Sequence, residues 1–147
     1  MAIQGLDRLK RKLTVTIPDA VRKAARASLE KGANEIVTMM RALVPRDTGA
    51  LAASIGWTWG DAPKGALTLG TVKNPREGDE YITIFAGTRD KSLGAADAYY
   101  VGFVEFGTKH AKPYPFFYPS YRALKKRVKS RNTREINKAL KSAGIKK

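Results

Sequence analysis

Glu105 is the residue best placed to do chemistry: it sits in the run Phe103-Val104-Glu105-Phe106-Gly107-Thr108, where flanking phenylalanines could desolvate its carboxyl and fit it for proton transfer. A catalytic site also needs a nucleophile or a second acid–base group within hydrogen-bond reach, and the sequence offers no evident companion. The expected role of Glu105 is therefore that of an acceptor, from backbone amides or from an arginine of a neighbouring subunit. The only histidine, His110, lies between Lys109 and Ala111, and one imidazole falls short of the three or four ligands zinc takes. With no cysteine there is no thiolate site and no disulfide framework. Gly5, Gly32 and Gly49 are not followed by the lysine-serine/threonine pair of a phosphate-cradling loop. The expectation is a protein without catalytic residues, cofactor or metal.

The remaining chemistry is electrostatic. The 147 residues carry 28 Lys and Arg against 13 Asp and Glu, a net charge of +15. Residues 1–46 hold a balance of +6, residues 47–121 one of −1, and residues 122–147 one of +10. Arg122, Lys125, Lys126, Arg127, Lys129, Arg131 and Arg134 fill the last stretch, a candidate surface for DNA or for an acidic partner. No aromatic residue follows Tyr121, so stacking on single-stranded bases is not provided for. Charge alone does not choose among nucleic acid, acidic protein and anionic lipid. The opening residues reach Asp7-Arg8 without the apolar run of a secretion leader, and no window approaches the roughly 20 apolar residues of a membrane span. Assembly in a cytoplasm, away from membranes, is expected.

Three kinds of element must position these groups, within one expected domain: a helical part over 1–46, a sheet core with loops over 47–119, and a basic helical tail over 120–147. Leu6, Leu9 and Leu13 predict a short helix over 4–14. Thr16 can cap a second helix that carries Pro18 in its first turn. Val21, Ala25, Leu29, Gly32, Ile36, Met40 and Leu43 give this helix one face, over about 26 residues or roughly 39 Å. Pro45 ends it. Pro45-Arg46-Asp47-Thr48-Gly49-Ala50-Leu51 reads as a helix-to-strand turn, with Gly49 free to take a positive φ. Leu51 to Trp59, Ala66 to Val72 and Glu80 to Ala86 read as three antiparallel strands, Trp57 and Trp59 sharing one face. Residues 60–65, 73–79 and 87–96 separate or follow them as loops. Asp97 to Phe106 fits either a strand or a helix. We favour a short helix, capped by Asp97 and closed by Gly107. Residues 113–119, with three prolines and four aromatic residues, predict an extended segment before a helix capped by Ser120. The fold class expected is α+β.

In order and spacing, Pro45-x-x-Thr48-Gly49-x-Leu51 completed by Ser54-Ile55, then Glu105-Phe106-Gly107-Thr108, then Pro115-Phe116-x-x-Pro119, resemble the tail-completion, or head–tail joining, proteins of long-tailed bacteriophages. Tyr114 and Phe117 stand where arginine and leucine are common in that family, so a family arginine contact does not transfer. The resemblance implies a structural virion protein of the neck, forming a homo-oligomeric ring, of six copies, around the DNA channel. It implies contacts with the tail terminator, the head-closure or connector proteins and the end of the tape-measure protein, with nonspecific contact to genomic DNA. The alternative from another class is a nonspecific nucleic-acid-binding protein unrelated to virions.

Overall fold

A computed structural model describes residues 17–45, 49–68, 80–87, 100–142 and 144. The helix expected over 4–14, the cap at Thr16, the loop 73–79 and residues 88–97 lie outside the described residues, as do Arg46, Asp47 and Thr48. The element order is helix α1 (Ile17–Leu43), a one-turn helix α2 (Ala50–Ala53), strands β1 (Gly56–Trp59), β2 (Leu67–Thr68) and β3 (Ile82–Ala86), helix α3 (Val101–Phe106) and helix α4 (Phe117–Ser142). This is the α+β arrangement of a long helix, a small antiparallel sheet, a short helix and a basic C-terminal helix. The chain divides into two compact units, one of residues up to Lys31 with those from Lys126 onward, the other of Gly32–Lys125.

Helix α1 has Asp19 in its first turn and Arg41 in its last, so both ends carry the charge that the helix dipole favours. Within the unit Gly32–Lys125 its buried stripe is Ala33, Ile36, Val37, Met40 and, just past its end, Val44. Ile36 and Met40 belong to the face expected from the sequence, but Leu43 is 41% exposed. Steps of three and four from Ala33 reach Val44, which rotates the stripe past Leu43. Ile55, Ile84, Ala86, Val101, Phe116 and Phe117 are buried in the same unit.

β3 is the central strand, antiparallel to β1 with Trp57 opposite Ile84, and antiparallel to β2 with Leu67 opposite Ala86. The first strand is shorter than its sequence suggests. Leu51 is in α2, because Gly49 turns the chain at φ 78° and Ala53 N–H then donates to the Gly49 carbonyl at 3.0 Å, closing a helical turn before extension begins. Four side-chain bonds fix the entry to β1. Ser54 Oγ donates to the Leu51 carbonyl at 2.6 Å and accepts from Gly87 N–H at 3.0 Å. Arg41 donates to the Ile55 carbonyl at 2.6 Å, and Trp57 Nε1 to Asn34 Oδ1 at 2.8 Å, so α1 holds the strand from two turns of its length. Trp57 and Trp59 meet edge to face, ring centroids 6.4 Å apart, on the shared face their spacing predicts.

In the other unit, Ser28 Oγ donates to Asn132 Oδ1 at 2.5 Å, tying α1 to α4.

Candidate assembly site

The Glu-Phe-Gly-Thr phrase ends α3 and starts a strap that returns to the first turn of α4. Helix α3 begins at Val101 behind Tyr100, which makes no side-chain cap, so it is shorter than the expected helix from Asp97, itself outside the described residues. Its C-terminus is as expected: Gly107 has φ 77° and donates to the Phe103 carbonyl at 2.9 Å. A Cβ at Gly107 would lie 2.8 Å from Pro113 Cδ and 3.0 Å from the Ala111 carbonyl oxygen, so the strap passes where only glycine fits. Thr108 closes the strap. Its Oγ1 accepts from His110 N–H at 3.2 Å and Ala111 N–H at 3.0 Å, while its own N–H donates to the Ala111 carbonyl at 2.9 Å. Tyr114 N–H then donates to the Val104 carbonyl at 2.8 Å and lays the Pro-rich segment along α3.

This brings the amides at the start of α4 onto Glu105. The carboxylate is buried, with Oε2 accepting from Phe116 N–H at 2.8 Å and Phe117 N–H at 3.0 Å, and Oε1 from Tyr118 N–H at 3.0 Å. The first four amides of a helix have no partner within it. Three go to Glu105, and the next residue, Pro119, has no N–H to satisfy. Helix α4 has no acidic residue in its own first turn, so Glu105 supplies, from another element, the negative charge its N-terminus favours. The extended segment therefore ends at Phe116 and not at Pro119, and Ser120, expected as a cap, lies inside the helix, its hydroxyl donating to the Phe116 carbonyl at 2.5 Å. The carboxylate cap moves the start of α4 three residues upstream of that serine.

Phe116 and Phe117 are fully buried, packed edge to face at 6.3 Å. Phe106 and Tyr118 stand 5.9 Å apart at the surface side. Phe103, Phe106 and Tyr114 are 58%, 62% and 57% exposed, three large aromatic side chains on one pinned segment.

The structure thus joins Glu105, Phe106, Gly107 and Thr108 to Pro115, Phe116 and Pro119 in one clamp. Leu51 is buried and Pro45 exposed in the same unit, with no hydrogen bond from their phrase to the clamp among the described residues. Of the expected cationic residues, Lys125 lies over the Tyr121 ring at 5.7 Å, and Arg127 and Arg131 are engaged within the chain, Arg131 half-buried. Lys129 and Arg134 line an open groove of about 750 Å³ together with Ser130, Thr133, Asn137, Lys138 and Lys141. The sequence reading did not single out Lys138 and Lys141; steps of four from Lys129 and Ser130 carried the signal. His110 is exposed, and no cluster of groups able to hold a metal occurs among the described residues. No helix among them is long and apolar enough to cross a membrane.

Residues 7–107 match the model of a family described as "Bacteriophage HK97-gp10, putative tail-component". The chain belongs to this HK97-gp10-like family. The match runs through α1, the sheet and α3 up to Gly107, while the strap beyond Gly107 and helix α4 lie outside the matched residues. The kinship with phage tail proteins expected from the three phrases holds at this level: the HK97-gp10-like protein is a bacteriophage tail component, a virion protein that assembles with other tail proteins. No curated protein and no solved structure matches the chain.

Proposed function

We propose that this HK97-gp10-like protein completes the head-proximal end of the phage tail and joins it to the head, as a ring around the DNA channel. Copies of the chain, six in number, close the ring. The tail terminator binds one side, with the end of the tape-measure protein, and the head-closure or connector proteins bind the other. The chain acts by fit and by charge, and turns nothing over. The observation that carries this reading is the exposure of Phe103, Phe106 and Tyr114 on a segment that Glu105 and Gly107 hold rigid. Aromatic side chains presented on a fixed backbone lose little entropy on docking and supply the apolar centre that protein interfaces need. A ring requires a heterologous interface, in which this patch meets a different surface of the next copy or of a neighbouring protein. Glu105, which could have served a reaction, is fully occupied by three backbone amides.

The test is assembly without the chain. Phage lacking it should accumulate DNA-filled heads and tails without their head-proximal ring that remain apart, and the purified native chain should join them. The variant Phe103→Ser/Phe106→Ser/Tyr114→Ser should fold, because its substituted side chains are exposed, and should fail to join them. Joined particles in the absence of the chain would overturn the reading.

A further inference from the structure

We propose that the groove along α4 from Lys129 to Lys141 is a seat for the phosphate backbone of duplex DNA, read without regard to sequence. The inference rests on the neck reading only for the source of the DNA. Lys129, Thr133, Asn137 and Lys141 follow one another at steps of four, with Ser130, Arg134 and Lys138 beside them. At 3.6 residues per turn these seven side chains occupy about half the circumference of the helix. The half-buried Val128, Arg131, Asn132, Glu135, Ile136 and Ala139 occupy the other half. Glu135, the one acidic residue of α4, is thus turned away from the groove. Among the described residues no carboxylate pairs with Lys129, Arg134, Lys138 or Lys141.

The lining chemistry selects the ligand. Four cations and three neutral hydrogen-bonding side chains are the residue types that position a protein on phosphate oxygens. Thr133 already donates its hydroxyl to the Lys129 carbonyl at 3.1 Å, which leaves Ser130 and Asn137 as the neutral donors. Among the described residues the lining has no aromatic side chain to stack a base and no large apolar side chain to anchor a peptide. From Lys129 to Lys141 the helix rises about 18 Å. One strand of B-DNA presents roughly five phosphates over that length of axis, against the four cations of the groove. Arg127 and Arg131, engaged within the chain, are not part of the seat.

The experiment is fluorescence anisotropy of the full chain with short labelled duplexes of unrelated sequence, across the range from about 50 to 200 mM salt. Each phosphate contact contributes about 0.9 to the slope of log affinity against log salt, so Lys138→Gln/Lys141→Gln should flatten the slope by about 1.8. The affinity lost across the salt range should then shrink about 12-fold. Lys109→Gln/Lys112→Gln removes equal charge from the exposed strap and should leave the slope within error of native. Both pairs are exposed, and circular dichroism should match the native chain. Equal flattening in the two variants would mean diffuse attraction and would overturn the proposal. So would poly-glutamate binding as tightly as duplex and losing as much in Lys138→Gln/Lys141→Gln, which would assign the groove to an acidic protein. Whether the chain sits between head and tail is read from particles, independently of these slopes.

Discussion

Replacing Glu105 by glutamine keeps the size of the side chain and removes its charge. Oε2 now accepts two amides and Oε1 one, so glutamine in the same rotamer can keep its oxygen on Phe116 and Phe117 but must turn its NH2 towards Tyr118 N–H. One charge-assisted bond is lost outright, about 1.5–3 kcal/mol, and the remaining two become neutral ones. The favourable placement of a negative charge at the start of α4 adds up to about 1 kcal/mol. A destabilisation of about 3 kcal/mol is expected for Glu105→Gln. Glu105→Ala orphans the Phe116 and Phe117 amides in a buried site at about 1–3 kcal/mol each, besides losing the packed side chain, and should cost about 5 kcal/mol. Urea unfolding followed by circular dichroism gives the loss as a drop in midpoint. Amide hydrogen exchange at Phe116, Phe117 and Tyr118 gives it locally, where protection should fall before that of β3. A Glu105→Gln chain as stable as native, with those three amides equally protected, would refute the capping role. Loss of a measurable turnover with stability unchanged would restore Glu105 as an acid or base.

Gly107→Ala should destabilise by about 2 kcal/mol or more, because φ 77° and the 2.8 Å approach to Pro113 both oppose a Cβ; Gly102→Ala, at the second residue of α3 with open space around it, should stabilise by up to about 0.5–1 kcal/mol. Thermal melting of the two variants should therefore move in opposite directions, and a shared direction would contradict the strap geometry. Leu51→Ala should cost about 2–5 kcal/mol as a buried truncation while Leu43→Ala stays within about 0.5 kcal/mol, and a cost at Leu43 as large as that at Leu51 would mean the stripe of α1 has been misplaced. The bond from Tyr81 Oη to Asp61 at 2.6 Å raises the tyrosine's pKa above its ordinary value of 10.0, with burial and the aspartate's charge adding to it. The neutral phenol is the form favoured in the fold, so its stabilisation is complete below that value and is lost as pH rises through the raised one. Asp61→Asn should lower the Tyr81 midpoint in ring-labelled NMR, and an unmoved midpoint would refute the link.

The helices and the central strand were legible because period and punctuation agree there. Pro18 and Pro45 bracket α1 within two residues of its observed ends, and Gly107 marks the end of α3. Leu51 was misassigned to a strand because its β-like neighbours Ile55, Trp57 and Trp59 dominate the pattern, whereas the Gly49 turn and the Ser54 bonds decide the local backbone. Leu43 and Val44 illustrate a second limit: adjacent apolar residues at a helix end compete for one stripe, and periodicity alone does not say which of them is buried. The clamp was half legible. Glu105 announced itself as an acceptor, from backbone amides or from a neighbouring subunit's arginine; that it takes amides, and which ones, depends on a strap that folds back over the Gly107–Pro113 contact. Two signals in the sequence pointed to the start of α4, the missing first-turn acid and Pro119 three positions past the capped amide of Phe116. Ser120 was a stronger local signal, and it misled. The basic tail was legible as charge but not as a face, since only the helical phase separates Lys129 and Arg134 from Arg131.

The most direct test of the central claim is the position of the chain in the finished particle. Purified virions carrying a gold-labelled copy, imaged by electron cryo-microscopy, should show the label at the junction between head and tail, in a ring coaxial with the DNA. Label confined to capsid shells or to the far tip of the tail, or its absence from the particles, would contradict the account.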